Sequence, residues 1–139
     1  MDDVEIEDPT ELTPSLLNSD PGEQRELKLV SSVIRPESLE AVKMALNGLE
    51  LVGGMTITDV RGFGRQKGQV EHYRGGTYQI RFVPKIKVEI AVRDQDVEAV
   101  MTAIGRAAHT GQVGDGKIFV LDLANVIRIR TGDHGAVAL

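Results

Sequence analysis

The 139-residue chain contains no cysteine and no tryptophan, and only two tyrosines and three phenylalanines. Without cysteine there is no disulfide framework, no thiolate metal site and no thiol nucleophile. No apolar run approaches the roughly 20 residues that a membrane-spanning helix needs. The acidic start lacks the basic segment and apolar stretch of a secretory signal. With 41% hydrophobic residues, the length suits one buried core rather than two. The expectation is a soluble, cytoplasmic, single-domain protein.

Charge is divided unevenly along the chain. Residues 1–26 carry nine acids (Asp2, Asp3, Glu5, Glu7, Asp8, Glu11, Asp20, Glu23 and Glu26) against Arg25, a net of −8. The other residues hold 15 bases and 12 acids, a net of +3, so an overall pI of 5.2 conceals a mildly basic domain. That balance argues against a nucleic-acid coat but suits small anionic ligands. The leader also contains Pro9, Pro14 and Pro21 and no sustained apolar period. It is expected to remain disordered or loosely docked, because it cannot bury enough apolar surface to offset the entropy of ordering.

From Leu27 onward the periodicities sharpen. Leu27–Ile34 is rich in β-branched residues and reads as a strand. Pro36 suits the first turn of a helix, where its missing N–H costs nothing. Leu39, Val42, Leu46 and Leu49 then follow helical spacing up to Gly53-Gly54. Met55–Val60 reads as a second strand, and Arg61 to about Arg81 as a long glycine-rich excursion. Ile86, Val88, Ile90 and Val92 alternate with Lys85, Lys87, Glu89 and Ala91, the pattern of a half-buried strand. Asp94 is expected to cap a helix whose apolar stripe is Val97, Val100, Met101, Ile104 and Ala108. A glycine-rich turn over 111–116 leads to a strand at Ile118–Leu123, and Val126–Arg130 alternates as a short extra strand. The β-α-β-β-α-β order is the split βαβ, ferredoxin-like arrangement of α+β proteins, with two helices on one face of an antiparallel sheet. Two helices leave the second face bare, so self-association through it is expected. A loop as long as the excursion, inside a compact domain, is usually functional.

Three local patterns carry chemistry. Gly62-Phe63-Gly64-Arg65-Gln66-Lys67-Gly68 offers backbone donors and two cations to an anion, or else a flexible hairpin. Its spacing fails the dinucleotide fingerprint, and it lacks the Gly-Lys-Ser/Thr of a P-loop. Thr110–Lys117 places three glycines between a helix and a strand. It reads either as a backbone nest with Lys117 beside it or as a helix cap at Gly111 followed by an Asp-Gly turn. Arg128-Ile129-Arg130, if extended, projects two guanidiniums to one side, matching phosphate oxygens; a solvated edge strand is the alternative. His72, His109 and His134 share no ligand spacing, which disfavours zinc. Phe63 and Phe119 read as core or cleft-lining residues.

Together, GFGRQKG at 62–68, Tyr73-Arg74-Gly75, Tyr78, Phe82-Val83-Pro84-Lys85, TGQVGDGKIFV at 110–120 and VIRIRTG at 126–132 resemble the PII signal-transduction proteins. The resemblance runs from about Leu27 to Leu139 and divides the chain into an acidic extension, 1–26, and a PII-type domain, 27–139. It implies a homotrimer of ferredoxin-like subunits that binds ATP or ADP in clefts between subunits and senses 2-oxoglutarate with Mg²⁺. It also implies a T-loop at about 63–81, a B-loop at about 109–117 and a C-terminal loop at about 125–139. Gly114, Asp115, Gly116 and Lys117 would meet the nucleotide phosphates, helped by Gly64, Arg65 and Gln66. Arg128 and Arg130 would reach in from the neighbouring chain, and Thr56 and Ala91 would lie near the adenine. Gln66 would offer its oxygen to Mg²⁺, and Gln66, Lys67, Gly68 and Lys85 would hold 2-oxoglutarate. Tyr78 matches the tyrosine uridylylated in enteric members, although Thr77 stands where those have an acid, and Gly76 replaces the serine phosphorylated in cyanobacterial ones.

The implied function is non-enzymatic: a T-loop that docks on an Amt-type ammonium transporter or on glutamine synthetase, touching the membrane only through the transporter. An ATP-hydrolysing enzyme of the same fold is the alternative, but no Ser/His/Asp set or placed carboxylate pair supports it. An RNA-binding module is disfavoured, because that use of the topology stacks bases on sheet aromatics, and aromatics make up 4% of this chain.

Overall fold

The computed structural model describes residues 26–50, 54–63 and 82–139 of the chain. In it, strand β1 (Leu27–Ile34) is paired on both sides along nearly its whole length, and that double pairing sets the architecture. A 3₁₀ turn at Pro36–Ser38 leads into helix α1 (Leu39–Asn47), then strand β2 (Thr56–Phe63) and strand β3 (Phe82–Arg93). A second 3₁₀ turn, Asp94–Asp96, leads into helix α2 (Val97–Ala108), then strand β4 (Gly116–Asp122) and a last 3₁₀ turn at Gly135–Ala138. The sheet order is β2-β3-β1-β4 with every pair antiparallel. This is the ferredoxin-like α+β order that the periodicities predict.

Register decides which side chains share a face. Val30 stands opposite Ile90 and Val120, and Ser32 opposite Val88 and Ile118, so these residues form one face. The helices cover it: Val42 and Leu46 of α1 and Val100, Ile104 and Ala108 of α2 join Val30, Ile34, Ile86, Val88, Ile90 and Val92 in one core. Each such aliphatic side chain taken fully from water contributes about 1.5–3 kcal/mol. Ser32, buried on this face, donates its hydroxyl to the Val88 carbonyl at 3.3 Å, and among the described residues no buried side-chain nitrogen or oxygen lacks a partner.

The opposite face carries Leu29, Ser31 and Val33 of β1, Lys87, Glu89 and Ala91 of β3, and Phe119 and Leu121 of β4. No helix covers it in the single chain: Phe119 is 49% and Leu121 48% exposed. Phe119 is therefore a residue of the open sheet face, not of the core.

Several local expectations are corrected. β2 runs to Phe63, so the excursion begins at residue 64 rather than at Arg61. The last rung pairs Phe63 with Phe82, their rings 5.2 Å apart, which closes the base of that excursion. Asp94 caps nothing: it opens the 3₁₀ turn without a side-chain cap bond, and its carboxylate lies 3.8 Å from the Lys28 ammonium. Met101 lies at the edge of the α2 stripe and is exposed, whereas Val100, Ile104 and Ala108 are buried. Val126–Arg130 forms no strand. One bridge, Ile127 to His134, closes a hairpin, and residues 129–131 turn at its tip. The alternation of Val126, Arg128 and Arg130 reflects this exposed hairpin, and pairing with the sheet stops at Asp122.

Candidate functional site

The loop between α2 and β4 is built around one carboxylate. Asp115 accepts hydrogen bonds from the Thr110 hydroxyl, from the Thr110 amide at 2.7 Å and from the Gly111 amide at 2.9 Å. Arg35, just past the end of β1, adds its Nε at 3.1 Å and sends Nη2 to the Val113 carbonyl at 2.6 Å. These donors, the Thr110 hydroxyl foremost, hold the Asp115 carboxyl well below the usual carboxylate range. Asp115 is thus satisfied by the loop itself and by Arg35. What it provides to a ligand is shape.

That shape needs glycine. Gly111, Gly114 and Gly116 have φ of +85°, +104° and +112°, the left-handed region that side chains disfavour. At Gly116 the requirement is steric as well. A Cβ there would overlap the Val33 carbonyl oxygen and come within 2.9 Å of its carbon, because β4 lies directly against β1 at that rung. Left-handed glycines allow backbone N–H groups to face an anion; here the Gly111 amide is already given to Asp115.

Lys85, projecting from β3 on the open face, reaches across and donates to the Gly114 carbonyl at 2.5 Å. Beside it a groove of about 260 Å³ is lined by Gly62, Phe63, Val83, Lys85, Gly114, Gly116 and Lys117. Phe63 lines this groove and is not core. The Lys117 side chain makes no hydrogen bond or ion pair among the described residues, so its ammonium is open to an anion. A second cavity of about 280 Å³, between α2 and β4, is lined by Ile34, Ile104, Ala108 and Ile118 together with His109, Asp115, Gly116 and Lys117 of the same loop region, so Lys117 borders both spaces.

The residues assigned to the nucleotide do not all meet in one chain. Lys85, Gly114, Asp115, Gly116 and Lys117 cluster at one end of the sheet. Thr56, paired with Glu89, and Ala91 lie toward the other end. The six residues from Lys85 to Ala91 along β3 correspond to about 20 Å at some 3.4 Å per residue. Arg128 and Arg130 follow β4, which leaves the sheet at Asp122 beside Lys28, again the end away from Gly116. The two arginines also differ. Arg128 is drawn back onto its own hairpin, its Nη2 donating to the Val137 and Leu139 main-chain oxygens at 3.1 and 2.9 Å. Arg130, at the turn, is exposed. The two guanidiniums therefore do not form the side-by-side fork of an extended strand. Gly64, Arg65, Gln66, Lys67, Gly68 and Tyr78, with the rest of residues 64–81, lie outside the described residues, as does His72. Among the described residues no group of three or more His, Asp or Glu side chains is arranged to hold a metal.

Arg35 is the residue that sequence reasoning missed. An arginine between a strand and Pro36 has no local signature, and its partner is 80 positions away in the chain.

The fold and this loop define a class: a ferredoxin-like α+β domain with a left-handed glycine-rich loop and an exposed lysine at one end of its sheet, and a long insertion between its two middle strands. The family model for nitrogen regulatory protein P-II matches residues 27–133, and the chain belongs to that family, whose members regulate rather than catalyse. It is 48% identical to the nitrogen regulatory protein GlnK of Escherichia coli K12 and 51% identical to the P-II protein of Nostoc punctiforme. Each alignment spans 81% of this chain and the whole of the relative. Among solved structures, the Bacillus subtilis GlnK–ATP complex superposes with a TM-score of 0.69 at 34% identity, over 82% of this chain and 96% of that one. Arabidopsis thaliana PII bound to citrate gives 0.67 at 39% identity, over 82% and 92%. The family match begins at residue 27, so the acidic leader lies outside it. No helix of the described residues is long and apolar enough to cross a membrane.

Proposed function

We propose that this nitrogen regulatory protein senses ATP, ADP and 2-oxoglutarate as a homotrimer and acts by docking its T-loop on partner proteins. The observation that carries the reading is the division of its nucleotide residues. The residues proposed for the phosphates, Gly114 to Lys117, lie at one end of the sheet and Thr56 and Ala91 toward the other, which supports a cleft completed by a second chain. The open sheet face, with Phe119 and Leu121 exposed, supplies apolar surface for that association. The solved B. subtilis relative was captured with ATP, and the A. thaliana relative with citrate, a polycarboxylate.

In this reading the amides around Gly114 and Gly116 and the Lys117 ammonium take the phosphates. Arg128 and Arg130 of the neighbouring copy complete the charge balance. Arg35 and Asp115 keep the nest in shape. Mg²⁺, a hard cation that favours oxygen ligands, would be held by Gln66 with phosphate and 2-oxoglutarate oxygens. Lys85 is placed to trade the Gly114 carbonyl for a carboxylate. Ligand-dependent ordering of Gly64–Gly68 would then bias the T-loop through differential affinity alone. The partners would be an Amt-type ammonium transporter or glutamine synthetase in the cytoplasm, and Tyr78 would be the site of any uridylylation.

Calorimetry tests the shared site directly. 2-Oxoglutarate should bind only when Mg-ATP is present, and light scattering should give the mass of three chains. Equal 2-oxoglutarate binding without Mg-ATP, or a stable monomer, refutes the reading.

A further inference from the structure

The hairpin after β4 is a self-contained unit. The Arg128 amide donates to the Asp133 carbonyl at 2.8 Å, the Gly132 amide returns to the Arg128 carbonyl at 2.8 Å, and the Gly135 amide reaches the Val126 carbonyl at 3.0 Å. Gly132 turns the chain with φ of +76°. Beyond it, the Gly135–Ala138 turn folds back so that main-chain oxygens of Val137 and Leu139 converge on one nitrogen, Arg128 Nη2. The other terminal nitrogen, Nη1, lies 3.5 Å from the Asp133 carboxylate, which the Thr131 hydroxyl steadies from 2.8 Å. Both ends of the guanidinium fork are therefore committed within the chain. Two positions on, Arg130 is exposed and makes no hydrogen bond or ion pair among the described residues.

A guanidinium has five N–H donors in a fixed plane, and it grips a phosphate with two neighbouring ones. Arg128 cannot offer that edge while Nη2 serves Val137 and Leu139 and Nη1 faces Asp133. We propose that residues 133–139 act as a latch on Arg128. Arg130 makes the first contact with a nucleoside polyphosphate in the neighbouring copy's cleft. Arg128 follows only by giving up the Val137 and Leu139 oxygens, which frees the 136–139 segment. Part of the phosphate's binding free energy is used to open the latch, so occupancy of the cleft appears as exposure of the chain's last turn. This inference rests on the nucleotide reading above and adds a competitor, built into the chain, for one of its ligating residues.

Two measurements test it. A chain lacking residues 136–139 keeps the Ile127–His134 bridge but loses both acceptors. It should bind Mg-ATP about 10- to 150-fold more tightly by calorimetry, the scale of one hydrogen bond to a charged group. Unchanged or weaker binding by that chain overturns the latch. In the full chain, which has no tryptophan of its own, Ala138→Trp places a reporter on the segment. Its fluorescence anisotropy should fall as Mg-ATP is added. Binding of Mg-ATP with no change in anisotropy overturns the latch and leaves the nucleotide reading standing, whereas no binding of Mg-ATP to the unaltered chain overturns both.

Discussion

Gly116→Ala should be among the most damaging single methyl additions in this domain. The residue sits at φ +112°, where an L side chain costs about 1–3 kcal/mol. The added Cβ would overlap the Val33 carbonyl oxygen and approach Ile34 Cα to 3.2 Å. Both are backbone atoms of the central strand, so no rotamer change can relieve the contact. Relief requires β4 to part from β1 at the Ile34–Gly116 rung, with loss of ladder hydrogen bonds at about 1 kcal/mol each. The total is about 3–5 kcal/mol against a typical domain stability of about 5–15 kcal/mol. At a few degrees per kcal/mol for a domain of this size, Tm should fall by about 10–20 °C. Urea and thermal unfolding followed by far-UV circular dichroism measure this, with Gly105→Ala as the contrast. Gly105 lies within α2, and a Cβ there meets nothing nearer than Ile118 Cδ1 at 4.0 Å. The same methyl should therefore stabilise by about 0.5–1 kcal/mol through helix propensity. A Gly116→Ala chain within 1 kcal/mol of the original, or two shifts of the same sign, would refute the close-approach reasoning.

Other outcomes follow from the core, the loop and the open lysine. Ile104→Ala removes a fully buried side chain from the helix–sheet interface and should cost about 2–5 kcal/mol in urea unfolding. Because the Asp115 carboxyl is held below its ordinary range when folded, its contribution is present above the unfolded value near 4 and is lost as pH falls from there toward the folded value. Asp115→Asn should flatten that acid limb of the stability profile, and a profile unchanged below pH 4 would remove Asp115 from the account. Lys117→Gln should weaken ATP binding by about 1.5–3 kcal/mol in calorimetry while leaving Tm nearly unchanged, since the residue is exposed and its ammonium makes no hydrogen bond or ion pair among the described residues.

The two strongest periodicities, β3 with Ile86, Val88, Ile90 and Val92 and α2 with Val100, Ile104 and Ala108, were legible in the chain because burial repeats with the geometry of each element. They order the sheet and place the helices on one face without any tertiary information. The glycine run at 111–116 was legible only as two alternatives. Residue type marks where left-handed backbone is allowed but not whether the freed amides cap a helix or face a ligand. The 126–130 alternation was misleading for a related reason: period two describes any extended, half-exposed stretch, and only pairing partners make it a strand.

Sequence alone determined the β-α-β-β-α-β order, the acidic leader set against a basic domain, and the glycine and lysine composition of the candidate site. These depend on neighbours within a few positions or on simple sums. Tertiary structure decided the rest. It tied Arg35 to Asp115 across 80 positions, pressed Gly116 against Val33 and brought Lys85 to the Gly114 carbonyl. Contacts of that kind arise from strand pairing between distant segments, whose register is set by the whole sheet and leaves no trace at the individual residue.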